Sequence, residues 1–309
     1  MTKPPTPNRA ANDLTLLLNA VYGAGPDRFP IDIPTVAKDY SRQLFPDDPI
    51  TLVQGAALNN FDGGLYKAPS GKKGWGILYN DEITSLGRIN FTLGHELGHY
   101  LLHRMMFPDG LECRSQDMVR WDDTYAQIEH QANVFAAGLL MPLDDFRCQI
   151  DALAKPTLDD RGACADRYRV SLIAATLRWL AYTERRSVLV VSREGFILWA
   201  RSSGAALKTG AFFKTVDRPP ITIPDTSLIL HPAKMAGNKG TLQHDGDSWF
   251  AEPCEEIALL SDKYDFAISL LHLERALPRW ASNGDDEEAS EDAFDKFSAE
   301  PGMRLFERG

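Results

Sequence analysis

The sequence predicts an α+β protein of two domains, and three observations carry that expectation. Residues 50–80, "ITLVQGAALNNFDGGLYKAPSGKKGWGILYN", alternate in polarity and are punctuated by glycine, which predicts three strands with a turn at "APSGKKG". Segments with apolar residues at helical spacing lie on both sides of them. Beyond residue 186 the extended texture returns, as a second domain would require. A chain of 309 residues is long enough to bury a core in each.

In chain order, residues 1–10 are expected to be a loose arm. "AANDLTLLLNAVYG" predicts a first helix closed by glycine, and "IDIPTVAKDYSRQLF" a second, short one. After the strands, a helix runs from about Gly87 to His103. A loop then leads to "YAQIEHQANVFAAGLLMP", an apolar helix stopped by Pro142. Residues 144–185 are helical in pattern, with a break near Pro156. "RSVLVVSREGFILWARSS" predicts two strands about a glycine-bearing turn. "PPITIPDTSLILHP" and "DSWFAEPCEEIALL" continue in extended style, and "DFAISLLHLERALPRW" fits strand or helix equally.

Charge and cysteine usage narrow the function classes. The net charge is -10, and residues 282–309 hold nine acids against three bases, which predicts a solvated, disordered tail. The rest of the chain is only mildly acidic, so overall charge lends no support to nucleic-acid binding. No apolar run approaches the length of a membrane span, and the polar, proline-bearing start does not resemble a secretory signal. Cys113, Cys148, Cys164 and Cys254 lie far apart with no C-x-x-C pair, which fits reduced thiols in a cytoplasm.

The chemistry sits in "GRINFTLGHELGHYLLH", Gly87 to His103. On a helix, His95 and His99 share one face and can offer imidazole nitrogens to one ion. Zinc takes three protein ligands in catalytic sites, and Glu96, on the flank of that face, is placed to accept a proton from water rather than to bind metal. Gly98 allows a close approach to the helix. At this composition H-E-x-x-H arises by chance in roughly one chain in a hundred, so a third ligand is needed. Glu129 is the candidate, with Asn133 four residues on, on the same face, placed to hold a ligand histidine by hydrogen bond. His130 competes, but lies about 100° around the helix. His103, one further turn along, fits packing or surface, or a metal contact.

"NFTLGHELGHYLLH", followed some 30 residues later by "EHQANVFAAGLLMP" and preceded by the strand "GILYN", resembles the ImmA/IrrE family of zinc metallopeptidases over about residues 10–185. The resemblance implies a small zincin-like domain at residues 1–155, zinc ligands His95, His99 and Glu129, and Glu96 as general base. It also implies a helix-turn-helix transcriptional repressor as the protein substrate, cut in response to DNA damage or another stress. The rival readings are a zinc peptidase of a toxin–antitoxin or housekeeping system, and a DNA-binding regulator with a structural metal.

Secondary candidates follow. A peptide substrate is expected to pair along Gly74–Asn80, and Tyr125 is a candidate for the oxyanion. Cys113, between the ligand-bearing helices, is either an inhibitory fourth ligand or an incidental loop thiol. Residues 156–186 have a helix-turn-helix outline. There, Arg161, Arg167, Arg169 and Arg178 can reach phosphates, while Leu172, Ala175, Leu177, Leu180 and Ala181 fit a core. Residues 187–278 resemble a GAF-like sensory module, for which single-stranded DNA or a small molecule is a candidate signal and plain packing the alternative. Trp199, Phe212, Phe213 and Trp249 there either stack on bases or fill the core. Residues 279–309 form the acidic tail.

Overall fold

The computed structural model describes residues 5–23, 25, 28–58, 61–108, 110–112, 123–215, 218–261 and 265–276. Two compact units are present: Met1–Gln149 with Arg161–Ala175, and Ile150–Asp160 with Thr176–Gly309. Both carry helices and one sheet, a mixed α+β architecture. Cys113 and the acidic tail lie outside the described residues. No described helix is long and apolar enough to cross a membrane.

In the first unit, helix α1 (Pro7–Tyr22) begins earlier than the expected loose arm allows. Thr6 accepts a hydrogen bond from Arg9 N, and Pro7 occupies the first turn, where a missing N–H costs nothing. Helix α2 (Ile33–Leu44) is capped by Asp32, which accepts from Thr35 N and Oγ1. Four strands follow: β1 (Ile50–Ala56), β2 (Gly63–Lys67), β3 (Trp75–Asn80) and β4 (Gly110–Glu112). Their order is β1-β3-β2-β4, with β1 parallel to β3 and the other pairs antiparallel. Leu65 sits at the middle, opposite Ile77 on one side and Leu111 on the other, and all three are buried.

That order corrects one expectation. β3, the strand expected to receive a peptide, is hydrogen-bonded on both edges and has no free ladder to offer. Hairpin pairing between neighbours in sequence does not reveal that β1 will add in parallel on the far side.

Helix α3 (Leu86–His103), capped by Ser85, packs against α4 (Asp123–Leu140) along a seam of small residues. A Cβ at Gly98 would stand 3.0 Å from Phe135 Cδ1 and 3.3 Å from Ala132 Cα; one at Gly94 would stand 3.4 Å from Ala136 Cβ. α4 stops just before Pro142. Helices α5 (Leu143–Gln149), α6 (Leu158–Tyr168) and α7 (Leu172–Leu180) break at Pro156 and at Arg169, whose φ is 50°.

Two of the four arginines considered for DNA contact are committed elsewhere. Arg161 is buried, and Arg167 is bidentate to Asp145 at 2.8 Å for both bonds while its guanidinium lies over Phe29. Tyr168, donating to the same carboxylate, is boxed by Phe29 and Phe146. Ala181, expected in a core, is exposed.

The second unit is built on a five-stranded antiparallel sheet: β5 (Ser187–Arg193), β6 (Phe196–Ser202), β7 (Lys239–His244), β8 (Cys254–Leu260) and β9 (Ala267–Leu273), in the order β6-β5-β9-β8-β7. The β5–β6 turn has Glu194 and Gly195 at φ 50° and 81°, the positive pair that a tight hairpin turn demands. The short helix α8 (Gly204–Lys208) follows β6. "DFAISLLHL" resolves as strand β9. All seven β9 residues are buried, and a strand covered on both faces shows no period. Residues 220–234 give an isolated bridge from Thr222 to Phe196 and two short 3-10 turns rather than a strand. Val188, Val190, Ile223, Trp249, Leu271 and Leu273 lie in the core. Trp199 is buried too, and Phe213 packs on Trp249 and Phe250, so of the aromatics considered for base stacking only Phe212 is exposed.

Candidate metal centre

The helical repeat of α3 brings His95 Nε2 to 2.8 Å from His99 Nε2. From α4, Glu129 reaches both: Oε2 lies 3.2 Å from His95 Nε2, and Oε1 lies 3.3 Å from His99 Nε2. Among the described residues these three form the metal-capable cluster of histidine, cysteine and carboxylate groups. An ion with arms of about 2.0–2.1 Å in tetrahedral geometry sets its ligand atoms roughly 3.3 Å apart. The two imidazole nitrogens, 2.8 Å apart, and the Glu129 oxygens, 3.2 and 3.3 Å from them, stand close to that spacing.

The proton arrangement suits an ion as well. Asn133 Oδ1 lies 2.9 Å from His95 Nδ1; an amide oxygen only accepts, so His95 carries its proton on Nδ1 and turns a lone pair from Nε2 into the cluster. A carboxylate and imidazole lone pairs converge in a buried place, His99 being fully enclosed. Such a set calls for a positive charge at its centre. The seam of Gly94 and Gly98 makes the convergence possible, because bulkier residues would hold α4 and its Glu129 further from α3.

Residues 48–180 match the family model of the IrrE N-terminal-like domain, Peptidase_M78. Over this segment the chain is similar to that domain, which supports a metallopeptidase of the ImmA/IrrE family. The match runs from before β1 to the end of α7, and so includes both helices that build the site. No curated protein matches the chain.

Within the matched segment the charges of the cluster are coupled. Burial works against a charged His95, but the hydrogen bond and charge of Glu129 outweigh it and lift its pKa to about 9. Burial and then the charge on His95 press His99 down to about 4. Burial would raise Glu129, yet the two histidines hold it well below the ordinary carboxylate range. The cluster therefore holds one positive charge against its carboxylate, and a metal ion would take the place of that proton.

Glu96 is 1% exposed and lies outside the donor cluster, on the flank of α3 facing β2. The first residue of β2 comes very close: a Cβ on Gly63 would be 3.3 Å from Glu96 Oε1 and 2.4 Å from Thr92 Cγ2. Only glycine lets the strand lie there without displacing α3. His130 is half-buried and outside the cluster, and Tyr125 is half-buried one turn before Glu129.

Sequence reasoning gave His103 no part beyond packing, surface or metal contact. The structure buries it with Nδ1 at 3.1 Å from His99 Nδ1 and Nε2 at 3.0 Å from Gln131 Oε1. A sequence signal existed: His95, His99 and His103 form a ladder at spacing four, and a third rung on a ligand face is a candidate second partner.

Proposed function

We propose that the protein is a zinc-dependent endopeptidase of the H-E-x-x-H type, in which His95, His99 and Glu129 hold the ion. The carrying observation is the convergence of two buried imidazole nitrogens, 2.8 Å apart, on the Glu129 carboxylate, whose two oxygens lie 3.2 and 3.3 Å from them, with a buried carboxylate, Glu96, on the flank of the same helix. When bound, zinc supplies a Lewis acid that polarises the scissile carbonyl and acidifies water. Glu96 accepts the proton of the attacking water and returns it to the leaving amine. Asn133 fixes the ring of His95. Tyr125, one turn before Glu129, is the candidate donor to the oxyanion.

The proposed substrate is a helix-turn-helix transcriptional repressor, a reading that rests on the resemblance of the sequence to the ImmA/IrrE family. Its scissile segment is extended and adds to a strand. Gly63, the first residue of β2, comes close to Glu96, and we place the substrate beside that end of the strand. The second unit acts as a GAF-like sensory module for DNA damage or another stress, with single-stranded DNA as candidate activator. This reading rests on strand order and position in the chain. The buried Arg161 and the paired Arg167 weigh against the reading as a DNA-binding regulator. The cytoplasm, where the cysteines stay reduced, is the proposed location.

The test is to purify wild type and Glu96→Gln, measure zinc, and incubate each with the candidate repressor, with and without single-stranded DNA. Zinc near one per chain in both, with cleavage at least about a hundredfold slower in Glu96→Gln, is the expected result. Equal cleavage by the two proteins would remove Glu96 from the mechanism.

A further inference from the structure

The two histidines of the centre are held differently. His95 donates directly to an amide oxygen, Asn133 Oδ1. His99 meets a second imidazole, with 3.1 Å between its Nδ1 and that of His103. Two ring nitrogens can share a hydrogen bond only if one bears the proton and the other does not. For His99 to turn a lone pair from Nε2 towards the centre, its proton must sit on Nδ1, so His103 must present a bare Nδ1. His103 then carries its own proton on Nε2, where Gln131 Oε1 stands 3.0 Å away. An amide oxygen accepts and cannot donate, so the arrangement of the whole row is set from Gln131 inward. With His103 in the opposite tautomer, two N–H groups would face each other, and His99 would be driven to put its proton on Nε2, where it cannot bind a cation.

We propose that His103 and Gln131 are positioning residues for the metal centre: Gln131 fixes the tautomer of His103, and His103 fixes the tautomer and ring orientation of His99. The inference rests on the metal-centre reading above and adds two residues to it. Burial favours this role. His103 is 3% exposed and His99 fully enclosed, so water does not stand in for a missing partner as it would at the surface. His103 Nε2 is taken up by Gln131 and its Nδ1 by His99, so His103 is not itself a ligand.

The experiment is zinc affinity by competition with a chromophoric chelator, alongside the thermal stability of the zinc-free protein, for four variants. His103→Phe keeps the bulk and removes the acceptor, and its zinc Kd should rise about 10–100-fold. His103→Asn restores an acceptor oxygen near the Nδ1 position and should recover most of that loss. Gln131→Leu should raise Kd by a smaller factor, and Gln131→Glu, which still accepts from His103, should return it to the wild-type value or below. A residue that only packs would behave otherwise, with His103→Phe and His103→Asn lowering zinc-free stability while both keep the wild-type Kd. That result, or an Asn variant no better than Phe, would overturn the proposal. If His103→Phe does not fold, the Gln131 pair decides by itself: equal Kd for Leu and Glu overturns it. Failure of the metal-centre reading looks different, since wild type would then take up no zinc, and the proposal would fall with it.

Discussion

Each unit buries a carboxylate against histidine, and the two clusters are opposite in character. In the first, Glu129 faces His95 Nε2 and His99 Nε2, and the proton of His95 is drawn away to Asn133. Only a shared proton, or a metal ion in its place, keeps acceptor from facing acceptor there. In the second, Glu256 is fully buried and its two oxygens are saturated: Oε1 accepts from Ser227 Oγ at 2.7 Å and Ser269 Oγ at 2.6 Å, and Oε2 from Leu228 N at 3.1 Å and His244 Nε2 at 2.8 Å. Donors meet acceptors at every step, and the network ties the 3-10 turn at Leu228–Leu230 to β7, β8 and β9. The same residue types thus make a cation site or a structural lock. What separates them is the balance of donors and acceptors rather than burial or composition.

The sharpest way to break this comparison is to neutralise each carboxylate with its amide. Glu129→Gln replaces one acceptor oxygen by a donor in a place built for a cation. Zinc affinity should fall roughly a thousandfold, about 4 kcal/mol, with little loss of stability in the zinc-free protein. Glu256→Gln should do the reverse. Its new NH2 faces two groups that already donate, so stability should drop by about 3 kcal/mol or more while zinc affinity in the folded protein is unchanged. Chelator competition and calorimetry on both variants give the answer, and a Glu256→Gln protein that loses zinc would refute the distinction.

Much of the first cluster was legible in the sequence, because a helix fixes its own geometry. The spacing of four between His95 and His99, and between Glu129 and Asn133, determines which side chains share a face without any knowledge of the fold. What sequence did not disclose depended on partners far along the chain. The central position of β3 is set by β1 pairing across an intervening strand. The part of His103 depends on Gln131, 28 residues away. Arg161 looks able to reach a phosphate until tertiary packing buries it. The Glu256 network drew no expectation at all, since Ser227, His244, Glu256 and Ser269 come from four separate segments with no motif in common.

A smaller effect should follow from the seam that lets the first cluster converge. Gly98→Ala places a methyl 3.0 Å from Phe135 Cδ1 and 3.3 Å from the backbone of Ala132, so α3 and α4 must separate by a few tenths of an ångström. Overpacking of this kind costs about 1–3 kcal/mol. Because Glu129 rides on α4, the same variant should weaken zinc binding, whereas the Glu256 network has no reason to respond. Zinc affinity equal to wild type in a destabilised Gly98→Ala protein would show that the seam serves packing without setting the centre.

The smallest effect is expected at the rim of the second cluster, and it tests whether that network closes at Glu256. His244 donates from Nε2 to Glu256, so its Nδ1 is the accepting end, with Ser248 Oγ at 3.2 Å and Thr226 Oγ1 at 3.4 Å. Ser248 is half-buried and Thr226 exposed, and the two hydroxyls lie 2.5 Å apart. Loss of one hydroxyl leaves the other, and water can reach the position. Ser248→Ala should therefore cost only about 0.5–1 kcal/mol, a net hydrogen bond at a wet site. A loss approaching that of Glu256→Gln would mean that His244 depends on its outer partner to hold the carboxylate. The lock would then extend to the surface turn at Asp247, where a φ of 68° already marks a constrained backbone.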